Sequence, residues 1–293
     1  MSVKAGIVKE LRQRTGAGMM ECKKALVECD GDLEKASQWL REKGVVSAEK
    51  KAGRITADGK IALKITESCR SGVLVEVNCE TDFVARDNSF DNFVNQVADF
   101  ILDNKPRSLE SLLLGTLGNG ETIEAAKNLL ISVIGENVSV RRFSDMEASE
   151  GQIYGYLHGK KIGVLLSVVG GPDELGHDLA MHIAATNPVA IDESQLSKEI
   201  LDKEREIYLS QARDAGKPSA VVDRIVEGKM KKYLSETTLL GQRFVKDAEI
   251  TIEDLLEKNN ARVLDFVRYE LGEGLEKRTD DFVGEVLAQA AGN

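Results

Sequence analysis

The sequence of 293 residues has little of the residue types that build metal centres and disulfide frameworks. It contains four cysteines and three histidines, and no two of the cysteines form a Cys-x-x-Cys pair. Such a set rarely supplies the four ligands of a zinc site. We therefore expect no metal and no cofactor, and we expect reduced thiols, which are typical of a cytoplasmic protein.

Long apolar runs are also missing. No segment approaches the roughly 18 consecutive apolar residues by which a membrane-spanning helix is recognised, and none has the pattern of a secretory signal. The first residues enter a helical pattern at once, which argues against a transit peptide. We expect the protein to have no membrane partner.

Positive charge is the scarcer sign, with 39 Lys and Arg residues against 49 Asp and Glu and a net charge of −10. Broad binding to nucleic acid needs clustered Lys and Arg, so we expect no direct nucleic-acid partner. Lys50, Lys51 and Arg54 form only a short basic run, which we interpret as a solvated linker. The composition, 42% hydrophobic and 30% charged, is typical of a folded protein with about two domains.

What the sequence does contain is organised around residues 72–86. The first part predicts a buried strand, whose apolar residues are Val73, Leu74, Val75 and Val77. The apolar residues of the next part recur at helical spacing and are Phe83, Val84, Phe90, Phe93, Val94, Val97, Ala98 and Ile101. Between strand and helix, a short acidic turn presents Thr81, Asp82 and Phe83, a place where scaffolds often hold binding groups.

Two interpretations of this turn remain open. Thr81 or Asp82 could cap the helix that follows, with Phe83 in the core. The near-copy Thr279-Asp-Asp-Phe-Val283, which also precedes a helical pattern, favours capping on local grounds. Alternatively, the turn is a binding site.

The first 44 residues predict three short helices. Gly16 suits a left-handed cap after the first helix, Asp32 caps the third, and Gly44 ends it. Two adjacent methionines cannot both point into one helix face. Of Met19 and Met20, we therefore expect one in the core and the other exposed as an adaptable contact.

The central part of the sequence contains a repeat. Gly59 and Gly151 each precede a strand and lie 92 positions apart, and Gly72 and Gly163 lie 91 positions apart. A near-constant offset with matched elements predicts two related strand–strand–helix halves. The second half has Val169-Gly-Gly-Pro172 in place of the acidic turn.

The segment 194–234 is highly charged and predicts an antiparallel coiled-coil hairpin that turns at Gly216-Lys-Pro218. Its predicted apolar stripes are Leu196, Ile200, Ile207 and Ala212 in one helix and Val221, Ile225, Met230 and Tyr233 in the other. Further along, Thr251 caps a helix and residues 263–271 predict a strand.

The fold class predicted from these patterns is α+β. The predicted domains are three helices at 1–44, a linker at 45–57, a first core half at 58–143 and a second core half at 144–293. The second half includes the hairpin at 194–234 and a C-terminal helix at 279–291.

No catalytic constellation is recognisable. The sequence has no H-E-x-x-H motif and no Walker loop, and Gly155–Lys161 lacks the spacing of one. His177 and His182 are five positions apart, so they do not share a helical face, and core packing explains them better. His158 lies on a predicted hairpin, where a lone histidine is usually a surface residue. We expect a protein that acts by binding and is not an enzyme.

Three motifs, in order along the chain, carry a resemblance to a known family. They are Arg12–Leu26, the string Asn78-Cys-Glu-Thr-Asp-Phe-Val84, and Ile134-Gly-Glu-Asn-Val138. Together they resemble the elongation factor Ts family, the guanine nucleotide exchange factors of elongation factor Tu. The resemblance extends over essentially the full length, and it implies a ubiquitin-associated-like amino-terminal domain and a role in protein biosynthesis.

The resemblance also implies a site. It places Thr81, Asp82, Phe83 and Val84 where they disturb the magnesium and phosphate site of elongation factor Tu, so that GDP leaves and GTP rebinds. The terminal helix is implied as a further contact. Individual residues implied as partner contacts are Arg12, Met19, Met20, Lys23 and His158.

Two other classes of function remain open. One is a helix-binding adaptor, whose binding would not respond to GDP. The other is an enzyme with an unrecognised site between the two halves, which would turn over a small molecule without a partner. Self-association through the hairpin is also left open.

Overall fold

The computed structural model describes residues 3–215 and 218–275 and has the predicted α+β class. The predicted C-terminal helix at 279–291 lies outside the described residues. The described chain divides into two compact units. Because the divisions fall at Ala62, Leu74 and Phe143, the chain passes from one unit to the other within strands.

The first unit begins with three helices, α1 (Ala5–Thr15), α2 (Met19–Glu28) and α3 (Leu33–Lys51). They share a small apolar core made of Val8, Leu11, Ala17, Cys22, Ala25, Leu26, Ala36 and Leu40. Both predicted caps are confirmed. Gly16 follows α1 with φ 69°, and the Asp32 carboxylate accepts hydrogen bonds from the amides of Glu34 and Lys35, each at 3.0 Å.

A three-stranded sheet follows, in the order β1-β2-β3. Its strands are β1 (Asp58–Ile65), β2 (Ser71–Cys79) and β3 (Val138–Glu147). Between β2 and β3 lie three helices, α4 (Asn88–Asn104), α5 (Leu109–Leu113) and α6 (Ile123–Ile134). Strand β2 is buried along almost its whole length, as its run of aliphatic residues predicts.

The prediction that Gly44 ends α3 is wrong, because the helix continues to Lys51. A Cβ at Gly44 would lie 3.3 Å from the carbonyl oxygen of Asn128 in α6. The glycine therefore allows two helix backbones to approach closely, and it does not break the helix. As a consequence residues 45–51 of the predicted linker are helical, while the predicted domain boundaries themselves stay a prediction.

The second unit contains a sheet in the order β4-β5-β8, with a helix packed on its first two strands. Its elements are β4 (Gln152–His158), β5 (Ile162–Val169), α7 (Asp173–Thr186), α8 (Lys198–Asp214), α9 (Ser219–Thr237), β6 (Arg243–Phe244), β7 (Asp247–Thr251), α10 (Ile252–Lys258) and β8 (Arg262–Glu270). Thr251 caps α10, as predicted, since its hydroxyl accepts from the Asp254 amide at 3.1 Å.

The predicted repeat is visible in the backbone, because each half pairs two consecutive strands and then adds a helix. Gly59 has φ +140°, and a Cβ there would collide with the carbonyl oxygen of Val77. Gly151 has φ +70°, and its Cβ would collide with the carbonyl oxygen of Val168. The same close approach to the next strand thus recurs in both halves, at positions 92 and 91 apart.

The hairpin of α8 and α9 forms, but its seam differs from the predicted stripes. The residues that pack between the helices are Leu201, Tyr208, Leu209, Ala212, Val222, Ile225, Val226 and Met230. Ile200, Ile207 and Val221, which were predicted in the seam, are exposed. In helices with such narrow stripes, neighbouring faces fit the pattern almost equally well, and side-chain packing decides between them.

Candidate functional site

The turn after β2 presents an aromatic side chain to solvent. Phe83 is 81% exposed, whereas Cys79 and Val84 on either side of the turn are buried. A short 3-10 helix, Val84–Arg86, leads from the turn towards α4. We call residues 81–83 the tip. A large apolar side chain held outward by a rigid scaffold gains nothing for folding, which makes it a candidate contact for another molecule.

The tip does not cap α4. Asp87 does so, because its carboxylate accepts from the amides of Ser89 at 2.7 Å and Phe90 at 3.4 Å. The interpretation of Thr81 or Asp82 as the cap of this helix, with Phe83 in the core, is therefore wrong.

Asp82 carries the exposed negative charge of the tip. Its carboxylate accepts a hydrogen bond of 2.6 Å from the Arg86 guanidinium, one helical turn further on. Both side chains are at least half exposed, and an ion pair of this kind contributes little to stability. The carboxylate can therefore exchange Arg86 for another partner at small cost.

Thr81 anchors the tip to a second loop. Its amide donates to Oε2 of Glu136 at 3.0 Å, and its hydroxyl donates to Oε1 of the same carboxylate at 2.7 Å. In the opposite direction, the Asn137 amide donates to Glu80 at 2.6 Å. The two loops hold each other through the side chains of Thr81, Glu80 and Glu136 and through two backbone amides, so the tip is fixed although its end is exposed.

In the basic run that we interpreted as a solvated linker, Lys50 and Arg54 are exposed, whereas Lys51 is held against the fold. The Lys51 ammonium donates to the Ser47 hydroxyl at 3.0 Å and to the carbonyl of Ile131 at 3.2 Å. Burial lowers the pKa of Lys51, and the charge of Arg54 lowers it further. The Arg54 guanidinium in turn donates to the Glu80 carboxylate at 3.3 Å.

Cys79 is unsuited to nucleophilic chemistry. Burial, followed by the charges of Glu136 and Asp58, raises the pKa of this thiol to about 12. It is therefore protonated at neutral pH and unreactive. In the part of the chain that the structure describes, no three His, Cys, Asp or Glu side chains are grouped so that they could bind a metal ion.

Three of the four candidate residues in the amino-terminal helices line one groove. Arg12, Met19 and Lys23 surround a cavity of about 710 Å³ together with Val8 and Lys9. The lining combines apolar side chains with cationic ones. This combination fits an amphipathic helix with acidic residues along its edge.

Both adjacent methionines are exposed, which corrects the prediction that one of them faces the core. Met19 is 46% and Met20 is 72% exposed. The inner face of α2 is occupied by Cys22, Ala25 and Leu26. Met20 is not among the residues that line the groove.

The three histidines have different environments. His158 is exposed at the end of β4, with Nδ1 3.3 Å from the Tyr156 hydroxyl. The prediction of core packing is confirmed for His182 and wrong for His177, which is exposed and lies edge-on to Tyr154 with ring centroids 5.4 Å apart.

The buried imidazole of His182 is held as the neutral form. Its Nδ1 accepts from the Val245 amide at 3.2 Å, which leaves Nε2 to donate to Gln242 Oε1 at 3.0 Å. Burial lowers the pKa of His182, while the hydrogen bond to Gln242 opposes the shift.

Sequence reasoning missed a buried carboxylate in β2. Glu76 is fully buried and accepts from the Arg141 guanidinium at 2.9 Å, from Arg142 at 2.6 Å and from the Gly272 amide at 2.8 Å. Burial alone would raise the pKa of Glu76, but these hydrogen bonds hold it below its ordinary value. A charged residue inside an aliphatic strand, with a later Arg-Arg pair, is the signal that could have revealed it.

Two family models match the chain. One, described as "Elongation factor TS", matches residues 80–273, and the other, "Elongation factor Ts, mitochondrial, N-terminal", matches residues 1–47. The fold, with its exposed tip, and these matches define the class as a translation elongation factor.

Relatives match over the whole length. The elongation factor Ts of Thioalkalivibrio sulfidiphilus is 50% identical over 293 residues, which is 100% of both chains. Those of Methylococcus capsulatus and Halorhodospira halophila are 48% and 50% identical over 289 residues, in each case 99% of both chains. The chain belongs to the elongation factor Ts family. Among its described helices, none combines the length and the apolar character needed to span a membrane.

Proposed function

We propose that this protein is a guanine nucleotide exchange factor that binds elongation factor Tu in its GDP form and promotes GDP release. The observation that carries the proposal is the 81% exposure of Phe83 on a turn that hydrogen bonds fix in place. Its membership of the elongation factor Ts family supports the same function.

The proposed action involves no covalent chemistry in this chain. Phe83 enters the partner beside its magnesium and phosphate site as an apolar wedge, and Asp82 exchanges its bond to Arg86 for hydrogen bonds with the partner. Magnesium coordination loosens, the phosphate-binding groups are displaced, and GDP leaves. The partner then binds GTP, which expels the exchange factor.

The binding surface at the amino terminus supplies affinity in this proposal. The groove between Arg12, Met19 and Lys23 receives a helix of the partner's nucleotide-binding domain. Met20, which is more exposed than Met19, and His158 make further contacts. Val84 is buried, so in this proposal it supports the tip by packing.

Thermodynamic linkage makes the proposal specific. If binding of this protein weakens GDP binding by a given factor, GDP must weaken binding of this protein by the same factor. A helix-binding adaptor would show the same affinity with and without GDP.

The experiment is stopped-flow release of fluorescently labelled GDP from elongation factor Tu, with rising concentrations of the full chain. We expect release to accelerate and to saturate, and we expect Asp82→Ala to lower the saturating rate. Leu114→Ala, which removes another exposed apolar side chain, serves as a matched control and leaves the rate unchanged. Release that does not respond to the wild-type chain would refute the exchange function.

A further inference from the structure

We infer that Glu136 is a positioning residue for nucleotide exchange, because it holds the tip in the conformation that presents Asp82 and Phe83. The inference rests on the proposed function. It gives a role to the motif Ile134–Val138, to which neither the fold nor the proposed wedge assigns one.

The end of α6 brings Glu136 to the tip. Gly135 follows the helix with φ +86°, and its amide closes the last turn by donating to Ile131. A glycine is favoured in this left-handed conformation, which turns the chain sharply. The next residue, Glu136, then extends its carboxylate to Thr81, 55 positions earlier in the sequence.

Both carboxylate oxygens of Glu136 accept hydrogen bonds from the same residue, Thr81. Oε2 accepts from the Thr81 amide and Oε1 accepts from the Thr81 hydroxyl, at 3.0 and 2.7 Å. Hydrogen bonds to a charged acceptor are stronger than those between neutral groups. Because one bond comes from the backbone amide and the other from the side-chain hydroxyl, together they fix both the position and the orientation of Thr81.

Thr81 passes this constraint to the exposed residues. Its hydroxyl accepts from the Val84 amide at 3.4 Å, and its carbonyl accepts from the Ala85 amide at 3.3 Å. Asp82 and Phe83 lie between these fixed points. Their backbone is therefore restrained, although neither side chain packs in the core.

The loop that carries Glu136 is itself anchored. The Asn137 side chain is buried, and its amide group donates to the carbonyls of Ala52 at 3.4 Å and Arg54 at 3.1 Å. The Asn137 backbone amide donates to Glu80. The positioning residue thus sits on a support that does not depend on Thr81.

A wedge that is held in one conformation acts in every encounter, whereas a wedge that samples several acts only in a fraction of them. Loss of Glu136 should therefore lower the saturating rate of GDP release more than it changes the concentration needed for half-saturation. A defect of folding alone would reduce the active concentration and leave the saturating rate intact.

The test compares Glu136→Ala and Glu136→Gln in the full chain with wild type, by labelled-GDP release from elongation factor Tu. Glu136→Ala should lower the saturating rate about tenfold, the loss expected from hydrogen bonds to a charged group. Glu136→Gln should restore most of it, because the amide oxygen can accept from the Thr81 amide and the amide nitrogen can donate to the Thr81 hydroxyl. Glu124→Ala, an exposed glutamate on α6, is the control.

The outcomes separate the two proposals. If Phe83→Ala slows release but Glu136→Ala does not, the positioning role is overturned and the exchange function stands. If the wild-type chain does not accelerate release, both are refuted. If Glu136→Ala does not fold, Thr81→Val takes its place, because this change replaces only the hydroxyl group and should lower the saturating rate. Thr81→Ser, which keeps the hydroxyl, should have a rate close to that of wild type. Equal saturating rates for wild type and Thr81→Val would then overturn the positioning role.

Discussion

The turn after β2 and the turn after β5 occupy matching places in two related halves, yet they are built by different means. The first is held by side chains of a separate loop, through Glu136 on Thr81. The second is closed by backbone contact, because Gly170 and Gly171 have φ +76° and +74° and a Cβ at Gly170 would collide with the carbonyl oxygen of Asn260. Because the first turn is held by a side chain of another loop, its end stays free to present Phe83. The two glycines of the second turn have no side chain to present.

The two halves also differ at a matching position inside the strands that precede these turns. Glu76 in β2 and Ser167 in β5 lie 91 positions apart, and both are buried. Only the first carries a charge, and that charge holds the segment at Gly272 together with Arg141 and Arg142. At these matching positions, the first half therefore has a buried charge with long-range polar partners, whereas the second half has a small neutral side chain.

The largest expected effect on stability comes from replacing Glu76 by serine, the residue at the matching position 167 of the second half. Glu76→Ser should lower the free energy of unfolding by about 3 to 5 kcal/mol, because two guanidinium groups lose a buried partner. Urea unfolding at neutral pH measures it, with Glu67→Ser, an exposed glutamate, as the control that should change it by less than about 0.5 kcal/mol. A loss no larger than that of the control would contradict the role of the buried carboxylate.

A smaller effect is expected from Gly170→Ala. Its positive φ strains any L-residue, and the added Cβ meets the Asn260 carbonyl, so we expect a loss of about 2 to 4 kcal/mol. Gly159→Ala provides the matched control, since Gly159 also has positive φ (+61°) but no atom within 4 Å of an added Cβ. The difference between the two variants in urea unfolding measures the close approach alone, and equal losses would show that the contact is unimportant.

Phe83 in the tip and its neighbour Val84 should separate function from stability. Val84→Ala should lower the free energy of unfolding by about 1 to 2 kcal/mol, since the side chain is buried. Phe83→Ala should leave it within about 0.5 kcal/mol, because that side chain has no core contacts to lose. Thermal and urea unfolding of both variants test the split, and a destabilised Phe83→Ala would mean that the ring is part of the fold.

The smallest effect is a difference in acid sensitivity between the halves. The pKa of His182 is lowered by burial from its ordinary value of 6.5, so the stability that its neutral form contributes is lost as the pH falls below about 6.5. The pKa of Glu76 is lowered from 4.5, so its contribution persists until the pH falls below about 4.5. Hydrogen exchange, corrected for intrinsic rates, should therefore show α7 losing protection before β2 as the pH falls; loss in the reverse order would contradict the assignment.

Features encoded locally could be predicted from the sequence. The strand at Val73–Val77, the caps at Asp32 and Thr251 and the repeat marked by Gly59 and Gly151 all follow from spacing and residue type. Each depends on residues that are close in the chain or on a pattern that recurs.

Features that depend on contacts between distant residues could not be predicted. Gly44 has the signature of a helix end, but its role is set by Asn128, and the role of Glu136 is set by Thr81. The hairpin seam shows the same limit, since Ile200 and Leu201 are both apolar and only packing decides which is buried. For the candidate site, the pattern indicated the tip but not the carboxylate that supports it.

The most direct test of the central claim is the saturating rate of labelled-GDP release from elongation factor Tu with Phe83→Ala. The account predicts a rate at least about tenfold below that of wild type, equivalent to about 1.4 kcal/mol, in a variant whose unfolding is unchanged. A Phe83→Ala protein that folds normally and releases GDP as fast as wild type would contradict it.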